Sequence, residues 1–194
     1  PFLGVVIYEL FFGQRLLFVV NPNSGKGEMR HHIVDCVDAF VRAEFEVTLY
    51  TTQKSGDATR IVIERGAEFD RIVCSGGDGT LNETVAGLMA LKEKPALGYI
   101  PSGTTNDFAS SLKIPKNAID ATNLIIDGKP YHVDVGQFND RYFTYVAGFG
   151  AFTEVSYSTP QVSKNALGRL AYILEGIKSL HTLRPYSVAV KTDK

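Results

Sequence analysis

Arg71-Ile72-Val73-Cys74 runs through Ser75 into Gly76-Gly77-Asp78-Gly79-Thr80, and a helix-like segment follows from Leu81. A short apolar strand thus feeds a turn of three glycines. Glycine has no Cβ, so it can take positive φ and bring its N–H groups close to an anion. The helix start beyond adds orphan N–H donors and the positive end of a dipole. Asp78 lies inside this cradle, where a carboxylate can hold a divalent cation or take a proton during phosphoryl transfer. The same residues also read as a tight strand–helix turn with an aspartate chosen for its turn chemistry. The rest of the chain decides between the two.

The rhythm repeats on both sides. Arg15-Leu16-Leu17-Phe18-Val19-Val20 is a continuous apolar run, as expected for a strand buried on both faces, and it ends in the turn-rich Asn21-Pro22-Asn23-Ser24-Gly25-Lys26-Gly27. Ile33, Val37, Phe40 and Val41 then recur at helical spacing, and Phe45 to Tyr50 alternates like a strand. A helix is predicted over 57–65 with Gly66 as its C-cap. Leu81, Val85, Leu88 and Met89 mark the helix after the glycine turn. Ala96 to Ile100 is a further strand, followed by Pro101-Ser102-Gly103-Thr104-Thr105-Asn106-Asp107, and a helix near 117–127 closes on Gly128. Such alternation predicts an α/β fold, a mainly parallel sheet with helices on both faces. Ligands gather beyond the carboxyl ends of such strands, so the loops at 21–27, 76–80 and 101–107 are predicted to converge on one rim. From Tyr131 the rhythm changes. Tyr131 to Gly136 and Arg141 to Ala147 read as adjacent strands joined at Asn139-Asp140, a helix carries Leu167, Leu170, Leu174 and Ile177, and a strand is predicted at 186–191. The expected organisation is an unassigned apolar segment at 1–14, a nucleotide-binding α/β domain at 15–130, and the incomplete start of a β-rich domain at 131–194.

Composition sets outer bounds. The chain has 194 residues, 44% hydrophobic and 21% charged, which is ordinary for a globular protein with a core. A formal net charge of −1 gives no electrostatic case for nucleic acid. Cys36 and Cys74 show no metal-ligand spacing and read as core residues in a reducing compartment. The apolar stretch from Pro1 to Phe12 is too short to span a bilayer as a helix, includes Glu9 and lacks a basic start.

Each loop carries two readings. In loop 21–27 small residues are expected to expose backbone N–H groups, Asn21 and Ser24 add polar contacts, and Lys26 can meet a phosphate as a point charge, but GxxxxGK[ST] spacing is absent, which excludes a Walker A loop. A solvated turn that caps the next helix is the plainer alternative. Asp107 is expected to N-cap the short helix after it, whatever else it does. Thr51 and Thr52 end a strand and either touch a nucleotide from the side or simply serve β-propensity. Glu83 either binds a ribose, orients a loop or serves the helix dipole. His31, His32, His132 and His181 are scattered and read as surface or core residues. Tyr157-Ser158-Thr159-Pro160 and Lys164 lie in a polar stretch that either shapes an acceptor site or, more plainly, is a loop.

Taken in order, these pieces resemble the diacylglycerol kinase catalytic-domain family, which includes bacterial lipid kinases. The matching residues are Asn21 to Lys26, Thr52 followed by Gly56-Asp57-Ala58, Gly76 to Glu83, Pro101 to Ala109, and Val133-Asp134-Val135-Gly136. The resemblance implies the NAD-kinase/diacylglycerol-kinase-like fold. It also implies ATP-dependent phosphoryl transfer to a lipid hydroxyl, with diacylglycerol becoming phosphatidic acid and Mg2+ assisting. It assigns the nucleotide site to Asn21, Pro22, Asn23, Ser24, Gly25, Thr52, Gly77, Asp78, Gly79, Thr80, Leu81, Asn82, Glu83 and Thr104. Asp78 becomes the essential residue, through Mg2+–phosphate geometry or activation of the hydroxyl.

Family members are considerably longer, and their general base and second Mg2+ site are expected beyond residue 194. The chain is therefore expected to be a fragment with little or no activity alone. The lipid acceptor implies a cytoplasmic protein working at a membrane surface without a transmembrane segment. Lys164, Arg169, Lys178 and Arg184 offer either a basic contact patch or an ordinary solvated helix face. The exposed start of a second domain leaves room for a homodimer. Two other readings share the glycine motif: a NAD or sugar kinase, and a nucleotide-binding module without catalysis.

Overall fold

The computed structural model describes residues 13–146. The segment 1–12, the helix expected around Leu167 to Ile177, the strand expected at 186–191, and Tyr157 to Pro160, Lys164, Arg169, Lys178, His181 and Arg184 lie outside the described residues. The chain divides into two compact units, Pro1–Thr144 and Tyr145–Lys194, and the architecture below is that of the first. The hairpin expected to open a second domain falls within it.

In chain order the elements are β1 (Arg15–Val20), α1 (Ile33–Arg42), β2 (Glu46–Thr51), α2 (Asp57–Arg65), β3 (Arg71–Gly76), α3 (Asp78–Ala90), β4 (Ala96–Pro101), α4 (Asp107–Ser111), α5 (Ala118–Asp127), β5 (Gly136–Phe138) and β6 (Arg141–Phe143). The first four strands form one sheet in the order β2-β1-β3-β4, every pairing parallel. β5 and β6 form a separate antiparallel pair.

The unbroken apolar run of β1 follows from its place inside this sheet, where Leu16 to Val20 lose all contact with solvent. Side chains alternate between faces. Leu16, Phe18 and Val20 pack with Cys36 and Phe40 of α1 and Ala121 of α5. Leu17 and Val19 pack with Ala58, Ile61 and Val62 of α2 and Leu88 of α3. Helices therefore cover both faces, as the strand–helix alternation predicts. Each large apolar side chain fully buried here stabilises by roughly 1.5–3 kcal/mol relative to exposure. On the α1 face Phe40 also makes edge-on contacts with Phe18 and Phe45, at centroid distances of 5.8 and 5.9 Å.

Several local expectations are corrected. Gly66 is the C-cap of α2, as expected, but at φ −55° rather than in the left-handed region, and the chain tightens there into a 3-10 turn over Gly66–Glu68. Its lack of a side chain serves packing, because a Cβ there would lie 2.9 Å from Leu91 Cδ1. Val41 is 55% exposed, and Cys36 takes the buried place on α1. Residues 131–135 form no strand; only the tip of the predicted hairpin pairs, around Asn139 at φ 55°. Cys36 and Cys74 are both buried and belong to clusters on opposite faces of the sheet, so no disulfide joins them.

α2 and α3 lie side by side, and Gly87 sets how close they come. A Cβ on Gly87 would sit 2.7 Å from Val62 Cβ and 2.9 Å from the Thr59 carbonyl oxygen. Replacing a helical glycine by alanine ordinarily gains up to about 1 kcal/mol. Overpacking against a branched side chain and a backbone oxygen costs about 1–3 kcal/mol and outweighs that gain. Gly87→Ala is expected to lower unfolding stability by about 1 kcal/mol in urea titration. Unchanged or raised stability would refute the close packing of these helices.

Candidate functional site

The strand register places the site. Val20 of β1 pairs with Thr51 of β2 on one side and Ser75 of β3 on the other, and Gly76 pairs with Pro101 of β4. The carboxyl ends of the strands are therefore level, and the loops after β1, β3 and β4 leave on one rim. Their backbones touch. The Asn21 N–H donates to the Ser75 carbonyl at 2.8 Å, and the Ser102 N–H donates to the Gly76 carbonyl at 2.9 Å. A Cβ on Gly25, which has φ +56°, would fall 2.4 Å from the Ser102 oxygen. A Cβ on Gly103 would fall 2.4 Å from Gly77 Cα.

Loop 21–27 differs from the expected display of free N–H groups. The Asn23 N–H donates to Asn21 Oδ1, while the Ser24 and Gly27 N–H groups donate to the carbonyls of Asn21 and Ser24. Asn21 also donates through Nδ2 to Thr80 Oγ1 at 3.1 Å, which ties this loop to α3. Arg30 closes the turn from outside, donating to the Pro22 carbonyl at 2.9 Å and Asn23 Oδ1 at 2.7 Å. Ser24 and Gly25 are buried against the neighbouring loops, and Lys26 is exposed.

The glycine turn behaves differently. α3 begins at Asp78 without a side-chain cap, so its opening N–H groups stay available to an anion. The Asp78 carboxylate turns the other way. It accepts from the Asp107 N–H at 3.1 Å and the Phe108 N–H at 3.2 Å, and so caps α4 from 29 residues upstream. Asp107 is thus the first residue of α4, not its N-cap; Asn106 holds that position in the left-handed region, at φ 56°. Thr80 is buried with its side chain against Gly76, and Leu81 packs in the core with Cys74, Val85, Tyr99 and Ala109. The Leu81 N–H donates to the Gly77 carbonyl, so neither its side chain nor its amide is offered to the rim. Asn82 is partly exposed and Thr104 is exposed.

Thr52 continues the β1–β2 pairing, its N–H donating to the Val20 carbonyl at 2.9 Å, and it is buried beside the rim. Glu83 accepts from Ser55 Oγ at 2.8 Å, and its carbonyl accepts from Thr59 Oγ1 at 2.8 Å. These bonds tie the turn after β2 to the first turns of α3.

Gly79 stands apart. It lies within α3 without a positive φ, and a Cβ on it would meet nothing within 4 Å. The fold gives no reason for glycine here, although glycine weakens a helix. Open space thus lies over Gly79 beside the uncapped N–H groups of the helix start, where an anion has room. A cation cage is another matter: among the described residues no three His, Cys, Asp or Glu side chains gather. Asp78 is a single carboxylate already engaged by two N–H groups. The described residues do not build a Mg2+ site by themselves.

A second concavity, of about 590 Å³, is lined mostly by apolar side chains, among them Leu81, Val85, Leu97, Tyr99, Phe108 and Leu124. It follows β4, one of the two edge strands of the four-stranded sheet. Arg71, Lys94 and Lys129 also line it, but none of the three rim loops does and no uncapped helix start opens into it, so the loop rim is the better candidate.

Three residues outside the assigned nucleotide set support the rim. Tyr99 and Asn106 stitch the glycine loops together, and Asp57 holds the turn after Thr52. Asp57 is 4% exposed and accepts from the Gln53 N–H at 2.8 Å and the Lys54 N–H at 3.1 Å. Its signals in the sequence were its place after Gly56 at a helix start and its membership of the matching Gly56-Asp57-Ala58 piece. The Gln53 N–H chiefly, then the Lys54 N–H and Arg60, hold the Asp57 carboxyl below its ordinary range, against the opposing effect of burial. A depressed folded value means stability that is present above the unfolded value, about 3.9, and lost as pH falls through the folded value. The stability difference between the native chain and Asp57→Asn is expected to be constant above about pH 5 and to shrink below about pH 4. A difference that stays constant through the acid range would contradict this assignment.

Relatives were compared with this geometry. Residues 15–138 match the Diacylglycerol kinase catalytic domain family. A diacylglycerol kinase of Bacillus subtilis (strain 168) is 42% identical over 182 residues, covering 93% of this chain and 60% of the relative. One from Staphylococcus aureus (strain MRSA252) is 37% identical over 182 residues, covering 93% and 58%. The crystal structure of a diacylglycerol kinase from Bacillus anthracis str. Sterne superposes with TM-score 0.63 at 35% identity, covering 68% of this chain and 50% of that one. The chain thus spans about 60% of the length of the Bacillus subtilis relative. With its parallel sheet, its three converging loops and a match over more than half of its residues, the chain belongs to the diacylglycerol kinase catalytic domain family.

Proposed function

We propose that this chain carries the nucleotide site of a lipid kinase that moves the γ-phosphoryl of ATP to the hydroxyl of diacylglycerol. The bond between the γ-phosphorus and the ADP oxygen breaks, a bond to the lipid oxygen forms, the hydroxyl proton is released, and the products are phosphatidic acid and ADP. The observation that carries the reading is the open space over Gly79 beside the uncapped start of α3. Family membership supplies the acceptor class.

In this reading Gly77, Gly79 and Thr80 present backbone N–H groups to the phosphates, Ser24 and Gly25 wall one side, and Thr104 the other. Thr52 and Glu83 border the nucleoside end. Catalysis rests on positioning and charge neutralisation, as phosphoryl transfer requires. Mg2+, when bound with ATP, would neutralise phosphate charge. Asp78 is the carboxylate beside the glycine turn, and its bonds to α4 hold it in a fixed orientation. Diacylglycerol resides in bilayers, so the work is done at a membrane surface. Among the described residues no helix is long and apolar enough to cross a membrane.

Transfer from γ-labelled ATP to diacylglycerol in mixed micelles tests the reading on the intact protein. Label in phosphatidic acid, lost at least about a hundredfold in Asp78→Asn, is the expected result. Label in NAD or a sugar would replace the acceptor, and ATP binding without transfer would leave a nucleotide-binding module. Gly79→Ala separates fold from site. It is expected to raise stability by up to about 1 kcal/mol while raising KM for ATP about tenfold. An unchanged KM would remove Gly79 from the phosphate site.

A further inference from the structure

Asn106 lies outside the set of residues assigned to the nucleotide, yet it is 7% exposed and makes a closed set of bonds. Its Oδ1 accepts from the Gly103 N–H at 2.9 Å, and its Nδ2 donates to the Gly103 carbonyl at 2.8 Å. One side-chain amide thus grips both backbone groups of one glycine. That glycine is the one whose Cα side presses on Gly77, where a Cβ would come within 2.4 Å of Gly77 Cα. The Tyr99 hydroxyl sits behind the grip, 3.3 Å from Asn106 Oδ1 and 3.1 Å from the Gly76 carbonyl. Its single proton is shared between these two acceptors, because Gly103 already fixes which end of the Asn106 amide is oxygen. Burial first, then Cys74 and Asp78, hold the Tyr99 phenol far above its ordinary value, so it stays a donor.

We propose that Asn106, backed by the Tyr99 hydroxyl, is a positioning residue that sets the height of Gly103 against Gly77 and so fixes the spacing of the anion-binding turn. The proposal deepens the kinase reading and rests on it for its kinetic consequence. The choice of residue follows from the backbone. At φ 56° and ψ 53° asparagine is one of few side chains that tolerate the left-handed region. A glutamine there would carry backbone strain and place its amide one methylene too far. An aspartate would keep the oxygen for the Gly103 N–H but set a charge against the Gly103 carbonyl.

Asn106→Gly is the informative variant, because glycine keeps the left-handed backbone without strain and removes only the amide. Tyr99→Phe removes the hydroxyl and keeps the ring beside Phe108. Two measurements on the intact protein separate the claims. Without nucleotide, amide hydrogen exchange of residues 76–80 and 101–106 is expected to rise in Asn106→Gly, with β1 unchanged. Tyr99→Phe is expected to show the same change to a smaller degree. In steady-state kinetics KM for ATP is expected to rise about tenfold in Asn106→Gly while KM for the lipid stays within about twofold. Should Asn106→Gly not fold, the Tyr99→Phe measurements decide alone. Exchange confined to residues 101–106, with 76–80 as protected as in the native chain, would overturn the proposal. Increased exchange at 76–80 in a protein that proves not to use ATP would uphold the positioning role and reject the kinase reading instead.

Discussion

Everything at the rim depends on backbone contact between loops that follow adjacent parallel strands. β1, β3 and β4 end level, so the chain leaves each of them at the same height. The loops then approach closely enough that Gly25 and Gly103 have no room for a side chain. Two backbone bonds, Asn21 to Ser75 and Ser102 to Gly76, fix that approach. A sheet with one register slip would separate these loops and dissolve the site, which is why the fully buried run of β1 matters for chemistry as well as for stability.

Charge and dipole are divided between two helices. α3 starts at the rim without a cap, and its N–H groups are left for a ligand. The short α4 starts close by and takes its cap from Asp78, the first residue of α3. Capping of this kind contributes about 0.5–2 kcal/mol where the side chain is removed. Asp78 therefore has a structural task that exists before any nucleotide arrives. A loss of activity on replacing it combines two effects, loss of the carboxylate and loss of α4's anchor. An asparagine, which keeps an acceptor oxygen, separates them better than an alanine does.

The sheet was legible because its signals are local. Continuous apolar runs followed by Gly/Asn/Thr turns locate β1, β3 and β4, and the strand–helix alternation gives their direction. Loop convergence followed from topology alone. What the sequence hid depends on contacts between distant residues. Gly66 looks like a helix stop and is one, but its packing beside Leu91 was not visible. Asp107 looks like an N-cap, but the left-handed Asn106 and the distant Asp78 share that work. Leu81 lies inside a nucleotide motif and faces the core. Loop 21–27 looks like a row of free donors, yet several of them are used within its own nested turns. Asn106 lies inside a matching loop and Tyr99 in a plain strand, but neither spacing shows the bonds that join them to Gly103 and Gly76.

The central claim is that the three loops bind one polyphosphate. A crystal structure of the intact protein with a non-hydrolysable ATP analogue tests it most directly. The account predicts phosphate density over Gly79, within hydrogen-bonding distance of the opening N–H groups of α3 and bordered by Gly25 and Thr104. Density for the nucleotide in the apolar groove along β4, with the rim left to water, would contradict it.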